Sequence, residues 1–177
     1  QTTAATDTFV STIIVSPVGN TTQNGTALKT AYESVAGATV NSPFVVKVEP
    51  GVYNLGSGRI NLIPYVNIEG SGPESTIIRS TQNSVSVAVL DFEGAGGSVE
   101  VRGLTVRHTG SGSAMGVYSD SYLYLSEVNI EFTGTLAGDV FGVYNNGGFL
   151  RMRDCDVSTS GYTITNGSSG VIGVSTT

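Results

Sequence analysis

Tryptophan is absent, histidine and cysteine occur once each (His108 and Cys155), and charged residues make up only 12% of the 177 positions. A single cysteine excludes an internal disulfide and any cysteine-based metal centre, and a single histidine excludes an imidazole cluster. No apolar run approaches the length of a membrane span. Lys and Arg number 8 against 14 Asp and Glu, a formal net charge of −6. Nucleic acids and anionic membranes are both held by clustered cations, so this balance argues against either as a partner.

What replaces the missing charge is Ser, Thr, Asn and 24 Gly. A surface of hydroxyls and amides suits a secreted β protein better than a cytosolic enzyme. The first residue, Gln1, is expected to be a mature N-terminus left after removal of a signal peptide. The expected location is therefore extracellular, at or near a cell surface. Three Asn-X-Ser/Thr sequons begin at Asn20, Asn24 and Asn166, and they matter only in a glycosylating host.

Residues 1–8, QTTAATDT, lack apolar content and are expected to form a mobile arm. Residues 9–177 are expected to form one domain, since 177 residues make one core comfortably and two with difficulty. FVSTIIVS, residues 9–16, reads as a strand, and PVGNTTQNG as a loop of turn formers. A helix is expected over residues 26–36, with Thr26 as N-cap, Leu28, Ala31, Tyr32 and Val35 at helical spacing, and Gly37 ending it.

Beyond residue 43 helical periodicity gives way to repetition. VEVRGLTVRHTG (99–110), LYLSEVNIEFTG (123–134) and LRMRDCDVSTSG (150–161) align without gaps, with apolar residues at relative positions 0, 2, 5 and 7. The phase change between positions 2 and 5 implies two short strands joined by a two-residue bend, both pointing their apolar side chains the same way. Each copy is preceded by a further strand: VAVLDF, MGVYSD and FGVYNN. The repeats span 86–110, 115–134 and 141–161 and recur after 24 and 27 residues, a solenoid period. The expected fold is all-β: a right-handed parallel β-helix with three strands per turn and one short N-terminal capping helix.

The stretch VVKVEPGVYNLGSGRINLIPYVNIEGSGPESTIIRS, followed by GLTVRHTG, resembles the right-handed β-helix proteins of the pectin lyase-like superfamily. Within it, the likeness is to uncharacterised bacterial pectinesterase-like repeat proteins, over roughly residues 10–175. The resemblance implies the fold more than an activity. Pectin methylesterases need two aspartates with glutamines and an arginine. The glutamine position falls near Ser113, the Gln-Asp pair near Thr133 and Gly134, and the nucleophilic Asp near Tyr162. None of those side chains is present, and windows 132–138 and 158–167 hold no carboxylate. Pectinesterase chemistry is not expected, and no catalytic or cofactor-binding residue is assigned.

Outward positions stack as inward ones do. Glu127, Asp154 and Asp156 are the weak metal candidates, an oxygen-rich set for Ca²⁺, but Arg102, Arg151 and Arg153 nearby read more simply as partners in a self-neutralising face. No cofactor is expected. His108, beside Arg107, reads as a surface residue, and Cys155 as a small core residue in line with Leu104 and Val128. Tyr53, Tyr65, Tyr118, Tyr122, Tyr124 and Tyr144 could stack on sugars, although core or ladder stacking is their commoner use.

VIGVSTT (171–177) aligns with the GVY strands and reads as an incomplete turn, whose opening invites either a further coil or a partner. The expectation is a non-catalytic structural β-helix that self-associates head to tail as a filament or surface-fibre subunit. Its assembly surface is expected at Phe9, Val10, Ile13 and Ile14 at one end and Val171, Ile172 and Val174 at the other. The alternatives are a polysaccharide-active or sugar-binding β-helix of pectin or polyuronate type, and a fragment of a phage tail fibre.

Overall fold

The structure, a computed structural model, describes residues 10–94, 96–134, 138–159 and, for the backbone, 160 and 174–176. The chain order is β1 (Ser11–Val15), α1 (Thr21–Glu33), β2 (Phe44–Val48), β3 (Gly51–Asn54), β4 (Ile60–Asn61) and β5 (Val66–Gly70). β6 (Thr76–Ser80), β7 (Leu90–Phe92), β8 (Ser98–His108), β9 (Ala114–Ser119) and β10 (Tyr122–Thr133) follow. β11 (Val140–Asn145), β12 (Phe149–Arg153), β13 (Asp156–Ser160) and β14 (Val174–Thr176) complete the series. The expected arm, Phe9, Val171 and Ile172 lie outside the described residues.

Every pairing between these strands is parallel, and none is a hairpin. One sheet runs β1-β2-β5-β8-β10-β12, with β3, β6 and β13 attached, and a second runs β14-β11-β9-β7-β4. Together they form a β-solenoid of about 4 turns.

The gapless repeat of the sequence is the physical register. Leu123 lies between Val99 and Leu150, Leu125 between Val101 and Met152, and Ile130 between Val106 and Val157. Inward columns are therefore chains of like side chains: Val46, Ile68 and Val101 are fully buried and Leu125 nearly so. Burial of one such side chain is worth about 1.5–3 kcal/mol, which makes rung-on-rung stacking the main source of stability.

The expected two-residue bend is a single residue. Gly103 (φ 64°), Glu127 (φ 55°) and Asp154 (φ 53°), all at relative position 4, adopt left-handed backbone. One such residue rotates the strand enough to return the next side chain inward, so β8 and β10 run through the bend unbroken.

The repeated glycine of GVY also has a packing cause. A Cβ on Gly116 would lie 2.5 Å from Ile130 Cγ2, and one on Gly142 would lie 2.6 Å from Val157 Cγ1. The absent side chain makes room for the facing sheet.

The helix differs from its expected bounds at both ends. It starts at Thr21, capped by Asn20, whose Oδ1 accepts from the amides of Thr22 (3.1 Å) and Gln23 (3.0 Å). Gln23 Oε1 accepts in return from the Asn20 amide at 2.9 Å, closing a capping box. Asn24 and Gly25, expected in a loop, sit inside the helix because tertiary contacts reward them. Asn24 Oδ1 accepts from the amides of Val18 and Gly19, and Gly25 lies against the β3 backbone at Asn54. Two of the three sequon asparagines are thus engaged in shaping the start of the helix. The helix ends at Glu33, before the expected residue 36, with Ser34 as C-cap. Leu28 and Tyr32 are fully buried against the first coil, and the Tyr32 hydroxyl donates to the Val66 carbonyl at 2.8 Å.

Candidate functional site

The outer face of the long sheet gathers the polar side chains into two columns. One runs Asn67, Glu100, Tyr124, Arg151, and the other runs Lys47, Glu69, Arg102, Ser126, Arg153. Strand alternation places them there, since each directly follows a residue of an inward column. Between them lies a shallow groove of about 480 Å³ lined by Asn67, Ser98, Glu100, Tyr124, Arg151 and Arg153.

The groove is organised by its own contacts. Arg102 bridges Glu69 at 2.7 Å and Glu100 at 3.3 Å, and Lys47 lies 3.7 Å from Glu69. Arg102 beside Glu69 holds that carboxyl below the usual glutamate range, so it is an acceptor and a poor proton donor at neutral pH. Asn67 Oδ1 accepts from the Glu100 amide at 2.8 Å, and Arg153 donates to Ser126 Oγ at 2.9 Å. An aromatic rim stands beside it: Phe149 lies 6.1 Å from Tyr122 and 5.9 Å from Tyr124, centroid to centroid. Ring faces, guanidinium donors and carboxylate acceptors along one groove provide what an extended polar ligand needs to stack and hydrogen-bond.

The tyrosines divide by location. Tyr53 is fully buried, and its hydroxyl donates to the Glu49 carbonyl at 2.8 Å. Burial pushes its ionisation upward. Tyr118 and Tyr144 stack across adjacent rungs of the second sheet, 5.8 Å apart, with Phe141 edge-on to Tyr144. Ladder stacking accounts for that pair, whereas Tyr122 and Tyr124 are left to the groove.

Glu127 and Asp154 occupy equivalent bends of neighbouring rungs, and Asp156 pairs in register with Asn129. The three are exposed, and Asp154 lies 3.6 Å from Arg153. Among the described residues no group of three or more His, Cys, Asp or Glu side chains could hold a metal ion. None of the helices among those residues is long and apolar enough to cross a membrane.

The reading of His108 as a surface residue is overturned. It is 1% exposed, its Nε2 contacts the Gln82 carbonyl, and its ring lies 6.0 Å from Phe132. Glu131, on the adjacent rung, binds Arg107 at 2.6 Å. His108 continues the alternation of Leu104 and Val106, as Phe132 continues that of Val128 and Ile130, so extending the period by two residues would have found it. Burial pushes the imidazole below its ordinary range, and Nδ1 has no hydrogen-bond partner. Cys155 keeps its expected column but is only half-buried.

One buried group escaped the sequence reading. Asp91 is 2% exposed and binds Arg59 at 2.7 Å; burial raises its carboxyl, against the opposing pull of the Ala88 amide and Arg59. The signal was a carboxylate in the apolar run VAVLDF. The expected strand shortens to Leu90–Phe92 as Ala88 turns its amide to Asp91 and the Gln82 side chain binds the Val87 carbonyl.

Of the expected assembly residues, Val10 is 56% and Ile14 65% exposed, and Ile13 is half-buried on the outermost strand of the long sheet. Val174 pairs with Val143 at the other end of the solenoid. Among the described residues, β1 and β14 lie at the edges of different sheets and are not paired with each other. Comparison of the chain with protein-family models, with curated proteins and with solved structures returned no match.

Proposed function

We propose that this chain is a secreted, non-catalytic structural β-helix, right-handed with three strands per coil and of pectin lyase-like type, that associates head to tail with copies of itself as an extracellular filament or surface-fibre subunit. One observation carries the reading. The inward columns are fully buried through their middle rungs, yet Leu150, Met152, Cys155 and Val157 on β12–β13 are only half-buried. Apolar surface of this kind, arranged as one more step of a repeating ladder, is best satisfied by another rung. Negative-stain electron microscopy and light scattering across protein concentration test it. Rows of particles and a mass rising with concentration are expected; a constant monomeric mass at millimolar concentration would remove the reading.

A second reading follows from the groove at Tyr124, which suits an extended glycan lying across successive rungs. Calorimetric titration with neutral and acidic oligosaccharides tests it, with Tyr124→Ala expected to weaken binding roughly ten-fold through loss of the stacking face. Equal affinity in that variant would reject the groove as the site.

A further inference from the structure

We infer that the head-to-tail contact joins β1 of one copy to β12 of the next, parallel and in the same register that links rungs within the molecule. The inference rests on the self-association proposed above and adds the surface and the alignment. Among the described residues, β1 and β12 are the outermost strands of the six-strand path, both are five residues long, and the same columns run through both. The column Ile13, Val46, Ile68, Val101, Leu125, Met152 shows the consequence: its four middle members are at most 1% exposed, while Ile13 and Met152 are half-buried. Placing Ile13 of one copy over Met152 of another completes the burial of both.

The backbone points the same way. The Ser11 amide donates to Pro43, and the Val15 carbonyl accepts from Glu49. In a parallel ladder amide groups alternate in direction, so Ser11, Ile13 and Val15 face β2 while Thr12 and Ile14 face away from it. On the far side of β2 the inward residues reach the next rung, as the Phe44 amide does to Tyr65 at 2.9 Å. Carried along the ladder, this alternation turns Leu150 and Met152 on β12 outward from β10. An in-register neighbour therefore pairs the Thr12 amide with the Leu150 carbonyl, Met152 with the Thr12 carbonyl, and Ile14 with the Met152 carbonyl. A one-residue slip would turn both sets of groups and every side chain the wrong way.

Side-chain chemistry allows the match. Thr12 would meet Arg151, and Ile14 would cover the stem of Arg153, with no like charges opposed. The rest of that end is α1, which presents Thr22, Thr26 and Thr30 as a polar rim.

Paired cysteines in a Cys155→Ser background test the register, since only directly opposed residues fall within disulfide reach. Thr12→Cys with Arg151→Cys should give, on mild oxidation, a ladder of multiples on a non-reducing gel that collapses when reductant is added, while Thr12→Cys with Arg153→Cys should not. Both sites are outward-facing, and circular dichroism of each variant checks that folding is kept. If the chain assembles but the slipped pair cross-links, or neither pair does, this contact is wrong and self-association stands. If the unaltered chain remains monomeric, both ideas fall. As an independent readout, Ile14→Lys would set a cation opposite Arg153 and should weaken association about ten-fold; unchanged association would overturn the contact.

Discussion

The helix-covered end of the solenoid and the β12–β13 rung solve the same problem to different degrees. At the first coil, Leu28 and Tyr32 are fully buried, and the Tyr32 hydroxyl serves both the Val66 carbonyl and the Ile63 amide. At β12–β13, side chains of the same inward columns are half-buried. The difference teaches that a column of stacked apolar residues has no natural stop. Each rung is buried by its neighbours on both sides, so a rung with one neighbour keeps half of its surface in water unless an element of another kind covers it.

The largest expected effect separates the two regions. Leu28→Ala should destabilise the fold by about 3 kcal/mol, while Met152→Ala, half-solvated in the isolated chain, should cost about 1 kcal/mol, both read from urea denaturation. Equal costs would erase the contrast. Under assembling conditions the Met152→Ala penalty should grow if its column is continued by a neighbour.

Next comes the seat of the helix. An alanine Cβ at Gly25 would lie 2.1 Å from the Asn54 carbonyl oxygen, a backbone atom that can yield only by moving α1 off β3. Gly25→Ala should therefore cost about 2–3 kcal/mol in the same measurement, although alanine is the better helix former. A gain in stability would show that α1 does not press on the coil.

His108 offers a pH handle on the middle rungs. Its folded-state ionisation lies below the unfolded value of about 6.5, so the unfolded chain binds the proton more readily. Stability is fully present above that value and should fall as pH drops through it. His108→Gln, which retains a donor for the Gln82 carbonyl, should flatten the slope between about pH 7 and 5.5. A slope unchanged in the variant would assign the pH dependence elsewhere.

The smallest effect concerns the bends. Glycine adopts left-handed backbone without the steric cost that a side chain carries, and Gly103 shows it in the same ladder. Glu127→Gly should stabilise by about 0.5–1 kcal/mol by relieving that cost. A loss instead would mean that the Glu127 side chain makes contacts that outweigh it.

The stacked registers were legible in the sequence because alternation within a strand and recurrence between strands are both local patterns. Leu123, Val99 and Leu150 align in the text as they do in space. The VST of residues 174–176 likewise falls against the VYN of residues 143–145, with Val174 beside Val143. Less legible was anything set by a loop folding back. Asn24 and Gly25 look like loop formers until the turn at Val18–Gly19 and the β3 backbone are placed beside them. Asp91 looks like an exposed break in a strand until Arg59, distant in the chain, is brought within 2.7 Å. The groove was half-visible: Tyr124 could be assigned outward from its repeat position, but the depth beside it depends on Asn67 and Ser98, which belong to other coils.

By itself, then, the order of residues determined which side chains of the repeat point inward, which rungs lie side by side, and roughly where the ladder bends, since these follow from a period of two and the change of phase within each repeat. Only the tertiary structure decided where the helix begins, which lone polar groups are sealed from water, and that Tyr124, Glu100, Arg151 and Arg153 share one groove. Those outcomes depend on contacts between segments far apart in the chain, and no local pattern encodes the distance between them.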